Sequence, residues 1–255
     1  MRGPSGPLPR PPMNRLRSLA PILLVLLCLA GPGTPARGED NTTGVEVQRP
    51  APRLVLDPGH GGAEAGARAE AGPEDAAALE LAKALAARLE ARGLVVFLTR
   101  EADQDLPEPL RAAFANYREA DLYLSVHFSG EPRTHARGFE VFVPPPPPAG
   151  ADPQLWEAGQ AGVWERSRRW AEALRRRLGE TAPLFDRGVG TLPHPALEAV
   201  TCPAALVELG SLAWPEDAGW WRRPEGAEAL ARAVARAVDD VLGPGGPGSE
   251  TPTTE

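Results

Sequence analysis

Two histidines are set where chemistry could use them. In "RLVLDPGHGG", three apolar, strand-favouring residues run into an aspartate, a proline and His60, which is bracketed by glycines. "DLYLSVHFSG" closes a second apolar run on His127. The chain has only four histidines, and the other two lie in loop-like surroundings: His135 in "EPRTHARG" reads as exposed, and His194 in "TLPHPALEAV" as a loop residue. A further group is Glu208, inside "AALVELGSL", where a carboxylate is expensive to bury. A carboxylate opening the first helix would complete an N/N/O set with His60 and His127. Such a set holds zinc in about four-fold coordination with one position left to water.

The elements that must carry these groups alternate along the chain. Residues 54–57 read as a buried strand, and 73–93 as a helix that a proline and two acids open and Arg92-Gly93 closes. Next come a strand at 94–99, a helix at 106–120, and strands at 121–128 and 138–143. A tryptophan-containing helix at 155–178, a buried strand at 204–212 and a closing helix at 226–242 complete the series. Long helices between strands imply parallel crossovers, so the expected fold is a single α/β domain. Its sheet is open, twisted and mostly parallel, with helices on both faces. Such sheets bind ligands beyond the carboxyl ends of their strands. His60 follows the first strand, His127 ends the third and Glu208 lies late in the last.

Taken in order, "LVLDPGHGG", a glutamate at a helix start, "ANYREADLYLSVHFSG", "GFEVFV" and "PAALVELGSL" resemble the type 3 zinc-dependent N-acetylmuramoyl-L-alanine amidases. The likeness covers residues 53–242. It implies that His60, Glu74 and His127 hold Zn²⁺ and that Glu208 is the catalytic acid–base. Glu64, Glu70 and Asp75 are neighbouring alternatives to Glu74. The implied reaction is hydrolysis of the amide between N-acetylmuramic acid and L-alanine in peptidoglycan. A non-catalytic, metal-binding wall-recognition or regulatory protein on the same fold is the alternative. Asp57 is expected either to accept the second ring N–H of His60 or to shape the Asp-Pro turn. Arg187 in "DRGVG" and Ser129 are candidate substrate-side groups. "SVHFSG" departs from the family's usual S-x-H-A-N, and the departure sets Phe128 as expected bulk beside the metal.

The rest of the chain bounds these expectations. A formal net charge of -7 argues against nucleic acid or an anionic membrane surface as partner. Residues 1–36 have the basic lead, short apolar run and small-residue end of a signal peptide, which implies export and no membrane span in the mature chain. Residues 37–52 read as a linker, 53–242 as the catalytic domain and 243–255 as a disordered tail. Export removes Cys28 and leaves Cys202 alone, so no internal disulfide is expected. Cys202 itself reads as a small buried apolar residue. "PPPPP" at 144–148 reads as an exposed extended loop, and the tryptophans at 156, 164 and 170 as helix packing. A monomer is expected, with peptidoglycan as substrate and an activator protein as a candidate partner.

Overall fold

Alternation along the strands sorts the side chains to two helix-covered faces. The computed structural model describes residues 50–130, 137–152 and 159–243. In chain order the elements begin with β1 (Arg53–Pro58), the short β2 (Arg68–Ala69) and β3 (Gly72–Pro73), α1 (Glu74–Glu90) and β4 (Val95–Leu98). They continue with α2 (Glu108–Tyr117), β5 (Leu122–Ser129), β6 (Phe139–Val143), α3 (Trp164–Thr181) and β7 (Asp186–Thr191). Last come α4 (Pro195–Ala199), β8 (Ala204–Ser211), α5 (Pro215–Arg222) and α6 (Pro224–Leu242). The expected signal peptide, most of the expected linker, the tail beyond residue 243, His135 and Trp156 lie outside the described residues.

The main sheet has six strands in the order β4-β1-β5-β8-β6-β7. Every neighbouring pair is parallel except β6 and β8, which run antiparallel. On one face Leu54, Leu56, Leu124, Val126, Phe128 and Val207 pack with residues of α1, α3 and α6. On the other, Val55, Tyr123, Ala204 and Leu206 meet Ala112 and Ala115 of α2 and Ala196 and Leu197 of α4. Burying each leucine or valine contributes about 1.5–3 kcal/mol. Helix α1 follows the expected pattern, with Ala78, Leu81, Leu85 and Leu89 at helical spacing on its buried side. Gly93, at φ 85°, makes the turn out of it.

Besides the two-residue strands β2 and β3, three elements were not anticipated. Strand β7 is "DRGVGT", whose glycines disfavour a strand. It forms because β6 offers it a partner edge, pairing Val141 with Val189 and Val143 with Thr191. The short helices α4 and α5 each begin with proline at the first position, a start signal that their brevity hides. The helix expected at 155–178 instead runs from Trp164 to Thr181. The proline loop is anchored rather than fully exposed: Pro144 is buried, and its carbonyl accepts the Trp164 indole N–H at 2.9 Å. Trp170 is fully buried in the core. Cys202 is buried as expected, and burial pushes its thiol up to about 12.

Candidate metal centre and active site

The turn after β1 is held by buried arginines. His60 sits at φ 58°, a left-handed conformation that non-glycine residues rarely adopt. Arg100 donates to the carbonyls of Pro58 (2.9 Å), Gly59 (2.7 Å) and Asp75 (2.8 Å), tying the turn to the start of α1. Arg111 donates to the carbonyls of Pro58 (2.9 Å) and His60 (2.8 Å) and to Asp57 Oδ1 (2.8 Å). Asp57 is therefore not the acceptor for the His60 ring. Its carboxylate is taken up by Arg111, Thr99 (2.5 Å), Tyr123 (2.7 Å) and Ser125 (2.8 Å), all beneath the turn. It shapes the turn through Arg111. Burial alone would raise the Asp57 pKa, but Arg111 and these hydrogen bonds hold it below the usual carboxylate range.

Three side chains converge above this base. Glu74 opens α1 and is 4% exposed. Its Oε1 lies 3.0 Å from His127 Nδ1 and accepts the Phe128 N–H at 3.0 Å. Its Oε2 lies 3.1 Å from His60 Nε2 and accepts the Ala67 N–H at 2.9 Å. Burial would raise the Glu74 pKa, yet the hydrogen bonds to His127 and His60 hold it far below the ordinary range. The hydrogen bond to Glu74 raises His60, with burial opposing. A carboxylate that strongly favours a proton on its neighbours favours a cation in the same place.

These residues fit a metal ion. One potential ligand atom each from His60, Glu74 and His127 lie within 4.8 Å of one another. The backbone is cut away around them. A Cβ on Gly59 would stand 2.2 Å from His127 Cε1, and one on Gly66 would stand 2.5 Å from both Glu74 Oε2 and His60 Cδ2. The glycines after His60 serve a different contact, since Gly61 and Gly62 pack on the backbone of Gln104 and Asp105. Among the alternatives, Glu70 is exposed, Glu64 approaches only the far nitrogen of His60 at 3.5 Å, and the Asp75 carboxylate accepts the Ala76 N–H.

Glu208 comes from the neighbouring strand. In the β5–β8 ladder it is the partner of His127, so both project from the same face. Burial raises its pKa, with Arg187 and His127 pulling the other way. Arg187, a candidate substrate-side group, lies on β7, ion-paired to Glu140 and 3.7 Å from Glu208. Glu140 is in turn the β6 partner of Glu208.

Two groups at this face escaped the sequence reasoning. His194 is mostly buried, its ring centroid 6.1 Å from that of His127, and burial and His127 depress it to about 4. Glu108, at the start of α2, lies 3.5 Å from His194 Nε2 and 3.4 Å from Arg111. Proline flanks hid His194, and an acid at a helix start such as Glu108 carries no signal beyond the helix dipole.

The sequence profile of the N-acetylmuramoyl-L-alanine amidase family matches residues 54–240. The chain belongs to this family. The amidase AmiC of Neisseria meningitidis is 27% identical over 215 residues, 73% of this chain and 51% of that protein. The chain thus spans about half the length of that relative. The germination-specific amidase of Bacillus subtilis is 28% identical over 200 residues, 72% of this chain and 77% of that protein. Among solved structures, the amidase Ami1 of Mycobacterium smegmatis gives a TM-score of 0.62 at 26% identity, over 76% of this chain and 98% of that one. An amidase from Clostridium difficile 630 shares the fold with a TM-score of 0.64 at 24% identity, over 76% and 98%.

The departure from the amidase pattern at "SVHFSG" is milder than its composition suggests. Phe128 points away from His127, into the core facing α1 and α6, and only its backbone N–H meets Glu74. The expected bulk beside the metal is absent. Ser129 ends β5 at a register shift, where its carbonyl accepts the Leu212 N–H at 2.7 Å.

Proposed function

We propose that this chain hydrolyses the amide between the lactyl carbonyl of N-acetylmuramic acid and the L-alanine of the peptidoglycan stem. The observation that carries this is the convergence of His60, Glu74 and His127 with Glu208 in register beside His127. His60, Glu74 and His127 would hold a zinc ion. Zinc, when bound, supplies a Lewis acid and an activated water. The Glu208 carboxylate removes a proton from the attacking water as the new carbon–oxygen bond forms. It returns that proton to the alanine nitrogen as the carbon–nitrogen bond breaks. The raised pKa of Glu208 suits both halves of that transfer. The products are a free lactyl carboxylate and a stem peptide with an alanine amino terminus. Arg187 steadies Glu208, and Ser129 sits on the substrate side.

The proposal extends to residues outside the fold described above. Residues 1–36 direct export and are removed, 37–52 link and 243–255 trail, and the mature protein acts as an exported monomer. No described helix is long and apolar enough to cross a membrane. The test incubates the purified chain with peptidoglycan, with and without a chelator, and identifies released ends by mass. Free stem peptides beginning with L-alanine, lost on chelation, are the expected result. Cleavage within the stem would make it a peptidase, and wall binding without product a recognition protein.

A further inference from the structure

Among the described residues, four buried side-chain atoms have no hydrogen-bond partner: Glu108 Oε2, His127 Nε2, His194 Nδ1 and Trp221 Nε1. The first three belong to one cluster. His194 Nε2 lies 3.5 Å from Glu108 Oε2, and the His127 and His194 rings stand at 76° with centroids 6.1 Å apart. An unpaired buried donor or acceptor costs about 1–3 kcal/mol. Three gathered at one place call for a common cause.

The ring orientations supply one. His127 turns Nδ1 to Glu74 Oε1, the side on which the candidate ligands meet, so Nε2 is the nitrogen left over. A histidine that binds a metal through one nitrogen almost always donates its other N–H to an acceptor. That contact fixes the tautomer and raises the basicity of the ligand. His194 is placed to be the acceptor. With its Nε2–H facing the Glu108 carboxylate, its Nδ1 carries a lone pair. Although His194 is the N-cap residue of α4, its side chain makes no cap hydrogen bond and is not committed there. Glu108 is itself drawn toward Arg111, which also holds the His60 turn.

We infer that His194 is a positioning residue for His127, accepting its Nε2–H at Nδ1, directly or through one water, and handing its own Nε2–H to Glu108. The inference rests on the metal-binding reading of His60, Glu74 and His127. It makes the site four residues deep on this side: Glu74, His127, His194 and Glu108 in series. It also gives His194 a role without contact to metal or substrate.

Zinc affinity of the full chain, measured by competition with a chromophoric chelator, tests the inference. His194→Phe keeps an aromatic ring but no acceptor, and it should weaken zinc binding about 10–100-fold. The metal-free melting temperature should stay close to wild type. His194→Asn, whose Oδ1 can take the place of Nδ1, should recover most of the lost affinity. A Phe variant that binds as tightly as wild type overturns the inference, as do Phe and Asn variants that are equally weakened. A readout that needs no variant is the ¹⁵N-edited spectrum of the zinc-loaded wild type. His127 Nε2–H should appear there as an exchange-protected signal, and rapid exchange with solvent overturns the inference. Wild-type chain that binds no zinc defeats the metal reading itself, a different result from any of these.

Discussion

At the scale of single residues, the site depends on what is absent as much as on what is present. Gly66 lies at φ 64° against both Glu74 and His60, so Gly66→Ala adds a left-handed strain and a collision with two candidate ligands. Gly150, at φ 76° with nothing within 4 Å, isolates the strain alone. Gly150→Ala should cost about 1–2 kcal/mol in chemical denaturation and Gly66→Ala more, and only Gly66→Ala should also weaken zinc binding. Equal zinc affinity in the two variants would show that the cradle has slack. Glu208→Gln is the complementary case, since it removes proton transfer and leaves the ligands alone. Turnover of peptidoglycan should fall by about 10²–10⁴ with zinc retained. A variant that still cleaves at near wild-type rate removes Glu208 from its role. His60, His127 and Glu208 could be read in the sequence because each ends or interrupts an apolar run. His194 could not, because its partner Glu108 is 86 residues away and no local pattern joins them.

At the scale of elements, the strand-to-helix connections are fixed by charge rather than by apolar packing. Arg111 on α2 is 2% exposed and is paired with Asp57, which is 1% exposed, at 2.8 Å. Removing the cation strands a buried carboxylate, so Arg111→Met should cost about 3–5 kcal/mol by urea denaturation. The same pair predicts a pH dependence. The folded pKa of Asp57 is depressed, so its contribution is complete above the unfolded value of about 3.9 and is lost as pH falls through the folded value. Stability should therefore drop below about pH 4 with a steeper slope in wild type than in Asp57→Asn. Parallel slopes would mean that other carboxylates set the acid limit. None of this network was visible in the sequence. No local pattern marks Arg100 or Arg111, and the hydrogen bonds that tie them to the turn span 25 to 54 positions. The expectation for Asp57 named only local partners, and the true ones are tertiary.

At the scale of the whole molecule, the sheet brings distant segments to one edge. Strand alternation and helix spacing were enough to anticipate β1, β4, β5, β6 and β8 and a mostly parallel sheet. They did not reveal β7, whose glycines carry no strand signal, nor that β6 runs against β8 and so sets Glu140 beside Glu208. Phe128 was misjudged for a related reason: the side-chain alternation that turns His127 toward α2 and α4 sends its neighbour to the opposite face. One consequence belongs to the molecule as a unit. Glu74 on α1, His60 after β1 and His127 on β5 come from segments that meet only in the folded chain, so an ion bound by all three binds the native state alone. Zinc at about a hundred times its dissociation constant should then stabilise the fold by roughly 2.7 kcal/mol. For a domain of this size that corresponds to a rise of roughly 5–10 °C in melting temperature. Thermal unfolding with zinc and with excess chelator measures the difference directly. In His60→Ala the zinc-dependent rise should nearly vanish, although the metal-free protein still melts cooperatively. Equal melting temperatures with and without zinc in wild type would mean that the ion does not link these segments.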